Sequence, residues 1–246
     1  MANELDSHAQ TYGEDQRFYA ENILTERTYC RRIIAALGGR SGLRLLGLGL
    51  GHGLTARELN AGLADRLNRH VVLEGSREMI ERFYKQQASA PTLDIVECFF
   101  EDFQSDEKFD VIEMGFVLEH VEDPARLLSK FRESLADGGS LFIGVPNALS
   151  LHRRLGHLAG FLGDPYKLSE MDLKYGHRRY FDLESLEACV TRAGFRIRSA
   201  QGLLMKPFTE AQMQSLSLGP AVWDALAEVS KDYPAIANSM FLEAGL

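Results

Sequence analysis

Glycine stands at every second position from 47 to 53 of the stretch LRLLGLGLGHGLTARELN, residues 43–60. Gly47, Gly49, Gly51 and Gly53 close an apolar run that then turns helical. Glycine weakens a strand interior, so such a cluster marks a place where another backbone or a ligand comes close. The spacing separates the candidate ligands. A dinucleotide fingerprint, GxGxxG, needs a third glycine three places after the second. Counted from Gly47 that place is His52, and counted from Gly49 it is Leu54. Gly49, Gly51 and Gly53 instead form GxGxG, which lets a loop backbone lie flat against a nucleoside and amino-acid tail that carries no phosphate. Glu74 ends the next predicted strand 21 residues after Gly53. A carboxylate there accepts hydrogen bonds from both hydroxyls of a ribose.

A second set of polar residues points to an acceptor for chemistry. His120, in VLEHVEDP, directly follows the predicted fourth strand, while His152 and His177 fall in an irregular segment farther on. A base is needed when a protonated hydroxyl or amine must react, and His120 and His177 are the candidates. His120 reads equally as a brace for the next helix, and His152 as a solvated helix residue. YGHRRYF (175–181) adds Arg178, Arg179 and Tyr180 to His177. Paired guanidinium groups bind carboxylate or phosphate bidentately, or clamp the segment onto an acidic surface. Tyr12 and Tyr19 are candidate covers for the site from the N-terminal side.

These residues need elements to hold them. Apolar positions recur at helical spacing from about Asp15 to Leu37, and GGRSG ends that helix. A regular alternation follows: strand 43–50, helix 55–61, strand 70–75, helix 77–87, strand 93–100 and strand 109–116. Asp123 and Pro124 then open a helix as N-cap and first helical residue, a glycine pair stops it, and SLFIGVPN (140–147) is a fifth strand. Alternating strands and helices imply a parallel sheet covered on both faces. Residues 148–181 break the pattern and read as an inserted lid. A helix capped by Asp182, a strand near 196–205, a helix near 209–231 and a final strand near 239–243 complete one domain, with residues 1–40 as a helical arm.

In this succession the chain resembles the class I S-adenosylmethionine-dependent methyltransferases of the small-molecule group. The pieces that carry the likeness are LLGLGLGHG, VVLEGS, FFEDF, KFDVIEMGFVLEHVEDP, LADGGSLFIGVPN and GHRRYFDLESLEACVTRAGF, in order over about residues 43–200. The resemblance implies a Rossmann-like α/β fold, a mostly parallel seven-stranded sheet with helices on both faces, and S-adenosylmethionine as cofactor with S-adenosylhomocysteine as product. It places Gly49, Gly51, Gly53, Glu74 and Gly75 on the cofactor, Phe100, Glu101 and Asp102 beside the adenine, and Met114 to Phe116, Gly115 included, along the methionine moiety. Phe116, Asn147, His152, Arg178, Arg179, Tyr180, Tyr12 and Tyr19 are left to line the acceptor. One position departs from the pattern. The family usually carries Asp or Glu two residues before the first glycine of GxGxG, near the cofactor's amino group, and this chain has Gly47.

The bulk composition fits the same picture. The formal net charge of −8 over 246 residues argues against a nucleic-acid partner and against anionic membranes. The three cysteines, Cys30, Cys98 and Cys189, have no CxxC or CxxH spacing, so neither a disulfide framework nor a metal site is expected. The polar, acidic N-terminus is no signal peptide, and a cytoplasmic protein acting on a small molecule is the expectation. A non-catalytic protein that binds S-adenosylmethionine is the alternative, motivated by Gly47.

Overall fold

The computed structural model describes residues 19–86 and 90–246. Seven strands form one sheet: β1 (Leu43–Leu48), β2 (Leu67–Glu74), β3 (Leu93–Glu97), β4 (Phe109–Gly115), β5 (Leu135–Pro146), β6 (Arg196–Gly202) and β7 (Ser239–Gly245). Their order is β3-β2-β1-β4-β5-β7-β6. The strands β1 to β5 pair in parallel, and β7 runs antiparallel to both β5 and β6. The order turns back between β1 and β4, so the carboxyl ends of those two strands flank the crevice where open α/β sheets bind ligands.

Alternation along each strand sorts the core into two layers. Leu46 and Leu48 of β1 join Ile112 and Met114 of β4 beneath α4 (Pro124–Arg132) and α7 (Leu183–Arg192). Leu43 and Leu45 join Val111 and Phe142 on the opposite face, under α1 (Tyr19–Leu37) and α2 (Leu54–Leu63). Helix α3 (Arg77–Gln86) follows β2 and packs Phe83 against Val72 and Leu50. Gly47 and Glu113 lie on the α1 face and pair across the β1–β4 ladder.

The expected alternation is present, with differences that have local causes. The glycine pair Gly138–Gly139 does not stop α4, which already ends at Arg132, and it falls inside β5. That strand begins at Leu135, and the ladder slips between Phe109↔Leu135 and Val111↔Ser140, so the residues around the pair bulge out. The long helix expected near 209–231 is two helices, α8 (Glu210–Ser215) and α9 (Pro220–Val229). Ser217 at φ +48° and Gly219–Pro220 break it between them. Asp123 caps α4 by accepting from the Arg126 N–H, with Pro124 at the first helical position, as read. Residues 148–181 contain two short helices, α5 (Leu151–Leu158) and α6 (Glu170–Lys174). No helix among the described residues is long and apolar enough to cross a membrane.

Candidate active site

The glycine loop leaves β1 in a left-handed path, with φ of +83° at Gly49, +49° at Gly51 and +67° at Gly53. Each value favours glycine for its backbone alone. Their surroundings differ. A Cβ on Gly49 would stand in ordinary contact with Phe100 and Val117, 3.9 Å away, whereas one on Gly53 would collide with Phe83 at 2.7 Å. Gly53 therefore also serves the packing of α2 on α3. Glu74 is buried at the end of β2 and ties this loop down. Its Oε2 accepts from the Leu50 N–H at 2.9 Å and its Oε1 from the Ser76 N–H at 2.8 Å.

The group that fills the place left by Gly47 is Glu113. An ideal Cβ on Gly47 would lie 2.8 Å from Glu113 Oε1, so the absent side chain of β1 is the space the carboxylate of β4 occupies. Glu113 Oε2 accepts from the Gly115 N–H at 3.0 Å and from the Tyr29 hydroxyl at 3.3 Å, and that hydroxyl also reaches the Phe142 carbonyl at 3.1 Å. Burial pushes the Glu113 carboxyl up to about 8, against the pull of these two donors. Tyr29 lies over Gly115 and Gly144, where Cβ atoms would be 2.8 and 3.2 Å from its ring. Gly115 thus makes room for Tyr29. Met114 points to the other face and is core, which corrects its side chain's expected place. A buried acid in phase with Gly47 within FDVIEMG was the available signal for Glu113.

At the carboxyl end of β4 the backbone is strained, since Phe116 holds φ +60°. The loop that follows carries Glu119 and His120. Arg179 fixes that loop from the inserted segment. Its guanidinium donates to the carbonyls of Leu118, Val121 and Glu122, and the Arg178 N–H donates to the Glu119 carbonyl at 2.8 Å. The Arg179 side chain is therefore a clamp and not an anion site, while that of Arg178 is exposed. The clamp brings the His120 and His177 rings to 4.8 Å between centroids. His177 Nδ1 lies 3.2 Å from Asp172 Oδ1, an ion-pair contact. Burial alone draws the imidazole down, but Asp172 and Glu119 outweigh it and the net shift is upward. Burial raises the Glu119 carboxyl to about 7, with His177 opposing. Asp172 also accepts from the Tyr180 hydroxyl at 2.9 Å and the Ser169 hydroxyl at 2.6 Å, and these bonds with His177 hold it well below the usual range despite burial. Arg153 lies 4.2 Å over the Tyr180 ring, donates to its hydroxyl at 3.2 Å and binds the carbonyls of Pro165 and Lys167.

Other expectations resolve differently. Asn147 is spent on structure: its amide donates to the carbonyls of Pro234 and Ala237 and accepts from the Leu149 N–H, bracing the approach to β7. His152 is half-buried beside Lys206 and Arg153, and burial with those charges lowers it to about 3, so it is neutral at working pH. Phe100 faces Gly49, but Glu101 and Asp102 are exposed, and Lys130 holds the Glu101 carbonyl. Tyr12 lies outside the described residues, and Tyr19 only marks the start of α1. Cysteine spacing gives no sign of a metal site, whereas Glu119, His120 and His177 bring ligand atoms within 4.8 Å of one another across 58 positions of chain.

Comparison with known proteins agrees with the fold. A family model described as a methyltransferase domain matches residues 19–200. The chain is 31% identical over 129 residues to a ubiquinone biosynthesis O-methyltransferase of Parvibaculum lavamentivorans, covering 51% of this chain and 48% of that one. It spans about half the length of the curated relatives it matches. The putative methyltransferase in complex with the Haloferax volcanii Trm112 activator superposes with a TM-score of 0.65 at 15% identity, over 100% of this chain and 98% of that one. The N-methyltransferase NodS of Bradyrhizobium japonicum, solved with S-adenosyl-L-homocysteine, gives 0.55 at 15% identity, over 94% and 88%. At such identity these likenesses are of fold.

Proposed function

Because this chain belongs to the class I S-adenosylmethionine-dependent methyltransferase family, we propose that it transfers a methyl group to an oxygen or nitrogen of a small metabolite. When bound, S-adenosylmethionine supplies a methyl carried on a sulfonium, already electrophilic, and S-adenosylhomocysteine is the product. The chain's task is then alignment of acceptor, methyl and sulfur in line, an effect of proximity and orientation. Glu113 and Glu74 would hold the cofactor, which would supply that methyl to the acceptor's lone pair.

One observation carries the reading. The carboxylate expected before the glycine loop is supplied from the neighbouring strand, with Glu113 Oε1 standing 2.8 Å from where a Gly47 Cβ would be. On this reading Glu113 meets the cofactor's ammonium, Glu74 meets its ribose, and Gly49, Gly51 and Gly75 let it approach the backbone. The segment 148–181 is a lid that closes over the acceptor and excludes water. On the same reading the Glu119–His120–His177 cluster, delivered partly by that lid, meets the acceptor. The net charge of −8 supports a small acceptor over a nucleic acid. Two measurements test the proposal. Calorimetry with S-adenosylhomocysteine should show one site per chain. Mass spectrometry of a metabolite extract incubated with the cofactor should show a product one methylene heavier. Binding without any such product favours a cofactor-binding protein that does no chemistry.

A further inference from the structure

We propose that Glu119, His120 and His177 form a binding site for one divalent first-row transition ion. Its place at the acceptor rests on the methyltransferase reading, but its existence does not. The ligand atoms of the three side chains lie within 4.8 Å of one another. Two imidazoles and one carboxylate are a donor set suited to zinc, iron, cobalt or manganese. A tetrahedral ion with bonds of about 2.1 Å needs its ligands about 3.4 Å apart, so the side chains must converge by about an ångström.

The independent observation is Glu119. It is 1% exposed, and neither carboxylate oxygen has a hydrogen-bond partner among the described residues. Buried polar groups are nearly always paired, and an unpaired carboxylate is costly to carry into the interior. A cation held between Glu119 and the two imidazoles supplies the missing partner. The surroundings of His177 agree. Asp172 takes the Nδ1 side of that ring at 3.2 Å and is itself held by Ser169 and Tyr180. Metal-ligating histidines are oriented in this way, one ring nitrogen on a carboxylate and the other on the ion. Arg179 and the Arg178 N–H fix the loop that presents Glu119 and His120, so the cluster is built from two clamped segments. Three protein ligands leave a coordination position open, which suits an acceptor that offers oxygen.

The experiment titrates metal-stripped protein with Co²⁺, read by its visible absorption, with Zn²⁺ and Mg²⁺ in parallel. One Co²⁺ per chain is expected, displaced by Zn²⁺ and not by equimolar Mg²⁺. Glu119→Gln and His177→Asn should each weaken Co²⁺ binding by at least ~100-fold, and Asp172→Asn by about 10–100-fold as a positioning residue. Circular dichroism establishes that the variants are folded. If one is not, His120→Gln and the wild-type stoichiometry decide. Absent stoichiometric Co²⁺ binding, or wild-type Co²⁺ affinity in folded Glu119→Gln, overturns the site. S-adenosylhomocysteine binding, measured on the same samples, reports separately on the methyltransferase reading.

Discussion

If Glu113 meets the cofactor's ammonium, affinity for the cofactor depends on pH in a way that can be worked out beforehand. Burial holds its carboxyl up to about 8, so at neutral pH most of the apoprotein carries a proton there. Docking an ammonium on this group requires the ionised form. Below pH 8 each unit of acidity then adds about 1.4 kcal/mol to the cost of binding. Between pH 8 and pH 6 the dissociation constant for S-adenosylhomocysteine should rise about 50-fold, or about 2.3 kcal/mol, with one proton released per ligand bound at the acid end. Glu113→Gln keeps the shape and removes the titration. Its affinity should be flat over this window and weaker than wild type at pH 8 by about 1.5–3 kcal/mol, the worth of a hydrogen bond to a charged group. Stability should move the other way. A carboxyl whose folded pKa is raised costs stability as pH climbs from its unfolded value of about 4.5 to about 8, because ionisation then occurs in the interior. The Gln variant should therefore melt higher than wild type at pH 8, by about 2–4 °C for each kcal/mol relieved. Calorimetry in buffers of differing protonation enthalpy counts the proton. A pH-independent dissociation constant in the wild type, or unaltered binding by Glu113→Gln at pH 8, would refute the assignment.

Glu74→Ala should weaken S-adenosylhomocysteine binding by roughly 1.5–3 kcal/mol and lower the melting temperature too, since Leu50 and Ser76 lose their acceptor. Wild-type affinity by calorimetry counts against the ribose role. Asn147→Ala should cost about 2–4 kcal/mol in urea unfolding, because buried backbone groups lose their partners, with acceptor KM unchanged; a KM effect without destabilisation returns Asn147 to the acceptor. Arg179→Ala should lower kcat at least ~10-fold while S-adenosylhomocysteine affinity stays within about 0.5 kcal/mol. Arg179→Lys should not rescue it, since an ammonium cannot fork across the carbonyls of Val121 and Glu122. Full activity in the lysine variant would show that charge alone matters.

The sheet and the glycine loop were legible because they are written in local terms: alternation, caps and the spacing of Gly49 to Gly53. What was not legible depends on contacts between distant segments. Gly47 looks like a loss until β4 is laid beside β1, when Glu113 falls on the same rung. His120 and His177 were read as separate candidates, and only the Arg179 clamp brings them together. Asn147 and Arg179 have the chemistry to bind a ligand, and the fold spends it on backbone carbonyls. Their side chains alone do not say which. The break between α8 and α9 was missed although Gly219–Pro220 announces it, an error of weighing periodicity above punctuation.

The Gly47↔Glu113 rung also constrains how this chain and its kin drift apart. Two neighbouring positions share one space, and only one of them has room for an acid. A lineage that moves the carboxylate between strands must pass through an ancestor with two crowded carboxylates or with none. Either intermediate is handicapped, so the changes arrive nearly together or not at all. The two columns should therefore vary as a pair, acid opposite glycine in either order. A reciprocal exchange, Gly47→Glu with Glu113→Gly, is the shortest mutational path that keeps one anionic group on the rung.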